Sequence, residues 1–166
     1  FTICFLGAND LAVPANSTAA STLRAAAEDA LGGAPIVETA HRPLPARAGA
    51  IVGLYSVGTL AAEAQLILLS AQRAVASNAP VPGATALPAS GTAADRILDL
   101  GADEYTRGRP HPMIDPATRN DLLCATLADS NISVVLIDVV LGFGAHADPA
   151  GEIARLVAAA PSGRPH

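Results

Sequence analysis

Lysine is absent from the 166-residue chain: all ten basic side chains are arginines, set against fifteen acidic ones, for a formal net charge of -5. That balance supplies no basic patch to displace counterions from a phosphate backbone, so nucleic acid is excluded as an expected partner. Tryptophan is also absent and only 3% of residues are aromatic, so any core must be aliphatic. The only cysteines, Cys4 and Cys124, form no CxxC pair and have no histidine at ligand spacing. Lying in apolar runs, they read as buried reduced thiols, and no metal site is expected. No apolar run reaches the roughly 20 residues that span a bilayer, and no basic segment precedes a cleavable apolar stretch at the start. No membrane partner and a cytoplasmic location are therefore the expectation. GxxxxGK[ST], GxGxxG after the first strand, HExxH and GxSxG are all missing, which argues against a self-contained nucleotide or hydrolase site.

What is present is 51% hydrophobic residues with only 15% charged ones, a globular rather than disordered composition. The length suits one core, expected over residues 1–160 and followed by a tail at 161–166. The chain opens on Phe1, already inside a strand-like run, as an excised or partial protein would.

The pattern alternates strands and helices. Phe1 to Leu6 is an apolar run closed by Gly7, expected as a parallel strand covered on both faces. Ser17 or Thr18 is expected to cap a helix that Gly32 and Gly33 stop near Leu31. A Pro-rich connector from Ala40 to Ala46 leads to a strand over Ala50 to Tyr55, a turn at Ser56 to Thr59, and an Ala/Leu-rich helix to about Ala76. Residues 77–94, crowded with Pro, Gly and Ser, read as a long loop or insertion. A short strand over Arg96 to Gly101, a helix over Asp115 to Leu127 and an apolar strand over Ile132 to Leu141 follow. Asp148 and Pro149 then start a last helix to about Ala159. This order predicts an α/β fold: a doubly wound, mainly parallel sheet in three layers.

In such a sheet, ligands gather beyond the carboxyl ends of the strands. That rim would be built from Gly7 to Asn9, Tyr55 to Thr59, Gly101 to Asp115 and Gly142 to Asp148. At Ser56, Val57, Gly58 and Thr59, a strand turns through small residues into a helix. Free first-turn amides can meet a phosphate or carboxylate there without any lysine, although the same residues also start a helix that holds no ligand. The densest polar segment runs from Asp99 to Asp115. In it Arg107 and Arg109 can grip an anion or neutralise Asp103, Glu104 and Asp115, and His111, held between Pro110 and Pro112, is a candidate for proton transfer. Asp138, within an apolar run, is either held by amides at a strand end or part of the site. Gly142 and Gly144 form another turn that lets a ligand approach backbone amides, with His146 and Asp148 at its edge.

Three stretches carry a resemblance: Gly53-Leu-Tyr-Ser-Val-Gly-Thr-Leu-Ala-Ala-Glu-Ala64, the run from Asp99-Leu-Gly to Arg107-Gly-Arg-Pro-His-Pro-Met-Ile-Asp-Pro116, and Ile137-Asp-Val-Val-Leu-Gly-Phe-Gly144. They resemble the FdrA family, within the succinyl-CoA synthetase (CoA-ligase) superfamily, and more distantly the C-terminal domain of the synthetase beta subunit. The resemblance implies a flavodoxin-like fold with a phosphate or acyl-phosphate site at Ser56 to Thr59, extended by Gly142 and Gly144. Arg109 and His111 would serve the chemistry, and Arg107, Asp115 and Asp138 a small carboxylate. Relatives carry two adjacent glycines where this chain has Val57 and Gly58. The N-terminal CoA-binding region, an ATP-grasp domain and a Gly-His-Ala-Gly phosphohistidine motif are not found in the sequence. The resemblance thus implies CoA, phosphate or acyl phosphate as ligand, and other domains or subunits of a homo- or hetero-oligomeric assembly as partners. It also allows a subunit of an oxamate carbamoyltransferase assembly in allantoin and purine catabolism, working with carbamoyl phosphate. A non-catalytic subunit-interaction module is the alternative of another class.

Overall fold

The computed structural model describes residues 1–8, 10–34, 47–87, 95–163 and 165–166. The expected Pro-rich connector, Asn9 of the expected rim and the second part of the 77–94 loop lie outside them. Where one core over residues 1–160 was expected, the chain divides into two compact units, Phe1–Pro45 and Ala46–His166.

In the first unit, β1 (Thr2–Cys4) pairs in parallel with β2 (Thr18–Ala20), and α1 (Leu23–Ala30) follows. Thr18 was expected to cap the helix; instead it lies in β2, and Thr22 caps α1 by accepting from the Ala25 amide at 3.1 Å. The run Thr18-Ala-Ala20 can pair with the first strand, and the cap falls to the next hydroxyl residue with extended backbone. Gly32 stops the helix as expected: it is left-handed, and the Gly33 amide reaches back to the Glu28 carbonyl. β1 forms its own two-stranded sheet rather than joining the larger one, and no described residue of this unit is buried.

The second unit holds five parallel strands in the order β5-β4-β6-β3-β7: β3 (Ala50–Tyr55), β4 (Val75–Ser77), β5 (Thr85–Ala86), β6 (Asp95–Asp99), which the short helix α3 (Asp103–Thr106) follows, and β7 (Ile132–Ile137). Alternate residues of β3 face opposite ways, as the period of a strand demands. Val52 and Leu54 join Leu123 and Leu127 of α4 (Ala117–Ala128) and pack with Ile153, Leu156 and Val157 of α5 (Pro149–Ala159). Ile51 and Tyr55 pack on the opposite face with Ala61, Ala64 and Leu68 of α2 (Gly58–Ser70). The unit is the expected three-layer, flavodoxin-like α/β sheet. Its β6-β3-β7 trio has the 2-1-3 order of that architecture when the two short strands β4 and β5 are set aside.

Three boundaries differ from the sequence reading. The Ala/Leu-rich run carries no Gly or Pro, and a helix to Ala76 was expected. The helix ends at Ser70 because Gln72 turns left-handed (φ 58°) and the Gln72 and Arg73 amides bond back to the Leu69 and Leu68 carbonyls. The released segment becomes β4, wholly buried. The 77–94 loop is also less irregular than expected. β5 lies in it, and the fully buried Gln65 of α2 ties it down, donating to the Ala79 carbonyl and accepting from the Val81 amide. Finally, the apolar strand expected to reach Leu141 ends at Ile137, leaving Val139, Leu141 and Phe143 exposed. The tail is not featureless, for His166 brackets β7 by bonding to Ser133 and Val135. Cys124 is exposed rather than buried, because it lies on the outer side of α4. No described helix is long and apolar enough to cross a membrane.

Candidate functional site

The sheet order decides where a crevice opens. The connection from β3 passes through α2 on one face toward β4, whereas the connection from β7 enters α5 on the other face. Neighbouring strands whose exits part in this way leave a gap beyond their carboxyl ends. Here the gap lies between the turn Ser56–Gly58, after β3, and Asp138, the residue after β7. Asp99, at the end of β6, stands on the other side of β3.

Asp138 is 8% exposed, and its carboxylate crosses from β7 to β3, where Oδ1 accepts from the Ser56 amide at 2.8 Å and Oδ2 from the Val57 amide at 2.9 Å. Of the two sequence readings, retention by amides at a strand end is therefore what the geometry displays. The two bonds also explain how a buried carboxylate is tolerated. Burial, and after it the charges of Asp138 and Glu63, raise the Tyr55 hydroxyl above its ordinary pKa.

α2 begins without a side-chain cap: Val57 holds the cap position with extended backbone and has no oxygen to offer. Asp138 takes the Ser56 and Val57 amides, and Leu60 and Ala61 bond the Val57 carbonyl, but the amides of Gly58 and Thr59 have no acceptor among the described residues. Gly58 is needed because a Cβ there would lie 2.7 Å from Asp99 Oδ2. Gly101 is more tightly enclosed, since its Cβ would meet the Ser56 carbonyl at 2.8 Å and His111 Nε2 at 2.9 Å. The turn after β3, the end of β6 and the 101–115 segment thus converge.

His111 reaches this cluster as the sequence suggested. Its Nδ1 accepts from the Met113 amide at 3.2 Å, which leaves Nε2 to carry the proton of the neutral ring, and Nε2 lies against Gly101. Arg109 is exposed and has no ion-pair partner among the described residues; Arg107, also exposed, is 4.0 Å from Asp103. Asp115 accepts from the Ala117 amide, and α4 starts with Pro116 at the cap position, one residue later than expected, since Asp115 was read as the cap and Pro116 as the first helical residue. Gly142 and Gly144 both have positive φ and lie in an exposed turn, with nothing within 4 Å of where a Cβ would stand at either. Among the described residues, no group of His, Cys, Asp and Glu could hold a metal ion.

Sequence reasoning did not single out four polar residues. Arg119 of α4 is 2% exposed and, among the described residues, bonds the Asn120 side chain, which in turn donates to Glu152 of α5 at 3.0 Å. Burial lowers the Arg119 pKa from its ordinary value, opposed by the charges of Glu152 and Asp138. Nothing in a helical Thr-Arg-Asn run marks its arginine as buried. Glu152 also stands 3.6 Å from His146, whose backbone amide bonds the Met113 carbonyl at 2.7 Å and so ties the 142–148 segment to the His111 segment. A cavity of about 380 Å³ lies between these segments, lined by Asp115, Asn120, His146 and Glu152. The fourth residue missed, Asp99, was visible only as part of a polar run, yet its Oδ1 accepts from the Gly101 amide at 2.9 Å and its backbone is bracketed by Asn78.

The second unit is thus a three-layer α/β domain with a helix start, a carboxylate and an imidazole gathered beyond its strand ends. The CoA-ligase family model matches residues 54–162, and the chain belongs to that family. It is also similar to the uncharacterized protein YahF of Escherichia coli (strain K12), at 35% identity over 118 residues that cover 70% of this chain and 23% of YahF. The chain thus spans less than a quarter of that relative's length.

Proposed function

We propose that this CoA-ligase domain is an FdrA-type one that binds phosphate or an acyl phosphate at the Gly58 and Thr59 amides. The observation that carries the proposal is the pair of amides without an acceptor among the described residues at the start of α2, in a turn whose Ser56 carbonyl, like His111 Nε2, lies close to Gly101. Oriented amides at a helix start favour an anion, and here no side chain among the described residues competes for these two. Arg109, with Arg107 beside it in sequence, would supply the mobile cationic grip for a small carboxylate, and Asp115 would hold the segment that carries His111. His111 would donate a hydrogen bond from Nε2 to the anion oxygen on which charge develops. CoA and the acyl group would come to this rim from other domains or subunits, and the Gly142–Gly144 turn would close over the anion as they dock.

Calorimetric titration of the chain with phosphate, carbamoyl phosphate and CoA tests the reading, repeated on Arg109→Ala and Gly58→Val. Saturable anion binding, weakened by both substitutions, is the expected result. No anion binding by the unsubstituted chain would sink it.

A further inference from the structure

Asp138 occupies a position where an open α/β sheet ordinarily receives its ligand, the gap between strands whose connections part. It fills that gap with the chain's own carboxylate, fully engaged with two backbone donors. A carboxylate so placed could act in two opposite ways on an anion bound next to it. As a bare charge it repels the anion, and removing it would tighten binding. As a clamp it fixes the Ser56–Val57 peptide units, and with them the direction of the Gly58 and Thr59 amides that follow in the same turn.

The structure favours the clamp. Both carboxylate oxygens are used, at 2.8 and 2.9 Å, and Ser56 is 2% exposed, so the turn has little room to take another course. Val57 cannot cap the helix, so no side chain within the turn sets its geometry. From the β6 side, the Asp99 carboxylate abuts Gly58 and Gly101 closes on the Ser56 carbonyl, leaving the turn held from both neighbouring strands. We infer that Asp138 is a positioning residue for the anion site: it does not touch the ligand but holds the turn whose next two amides do. The inference rests on the anion-binding reading proposed above and reassigns Asp138 from substrate contact to support.

The test is the sign of one change. Phosphate affinity is measured by calorimetry for the unsubstituted chain, Asp138→Asn and Asp138→Ala, with the Ser56 to Thr59 amide resonances recorded for each. The asparagine keeps one acceptor oxygen but turns an NH2 toward the other amide, so phosphate affinity should fall about ten-fold, and further in the alanine variant. The Ser56 and Val57 resonances should move in both variants while the spectrum elsewhere stays dispersed and unchanged. Equal or tighter phosphate binding by a folded Asp138→Asn chain would overturn the inference and leave the anion site standing. Failure of the unsubstituted chain to bind phosphate would overturn both. Should the alanine variant fail to fold, the asparagine comparison decides alone.

Discussion

Helices α2 and α5 start in opposite ways within the same unit. α5 is closed: Asp148 caps it by accepting from the Gly151 amide at 2.9 Å, Pro149 removes one donor, and Arg155 stands 3.5 Å from the capping carboxylate. α2 is open, with a valine at the cap position, glycine first in the helix, and two amides left without an acceptor among the described residues. A helix start that only has to be stable recruits Asp, Ser or Thr, a substitution commonly worth about 1 kcal/mol. On the function proposed above, leaving α2 uncapped while supporting its turn from two strands would keep those donors for the anion.

The largest break in the comparison should come from Gly101→Val. Its side chain would run into the Ser56 carbonyl and His111, disturbing the α2 turn and leaving α5 untouched. A loss of about 1–3 kcal/mol in chemical denaturation, together with loss of anion binding, is expected. Next is Asp148→Ala, which opens α5: about 1 kcal/mol of stability should go, with phosphate affinity unchanged by calorimetry. Val57→Ser closes α2 in the manner of α5 by offering its hydroxyl to the Thr59 or Leu60 amide. Stability should hold or rise by some tenths of a kcal/mol, while phosphate affinity falls several-fold. The smallest effect on the fold belongs to Arg109→Ala, which should leave the thermal midpoint where it is and weaken anion binding only. Unchanged affinity in that variant would remove Arg109 from the site.

Much of the second unit was legible in the sequence. β3, β6, α4 and α5 fall within two residues of their expected limits, because apolar runs end there at Gly, Asp-Pro or a polar turn. The turn at Ser56–Thr59 and the position of His111 were legible for the same reason: each follows a strand. The errors share a different cause. Ala-Gln-Arg-Ala at 71–74 is good helix sequence, and only the backbone's left-handed step at Gln72 ends α2, a tertiary choice that lets Val75–Ser77 fill the sheet between β5 and β6. β7 stops short because Asp138 turns its carboxylate to another strand's amides 82 residues away in sequence, a bond no local pattern encodes. The chain from buried Arg119 through Asn120 to Glu152 was hidden likewise, since its partners come from two helices.

The central claim is that the open start of α2, and not the closed start of α5, receives an anion. An amide-resolved magnetic resonance titration with inorganic phosphate tests it most directly. Saturable shifts at Gly58 and Thr59, with Ala150 and Gly151 unmoved, are the predicted result; shifts of equal size at both helix starts, or none at Gly58 and Thr59, would contradict it.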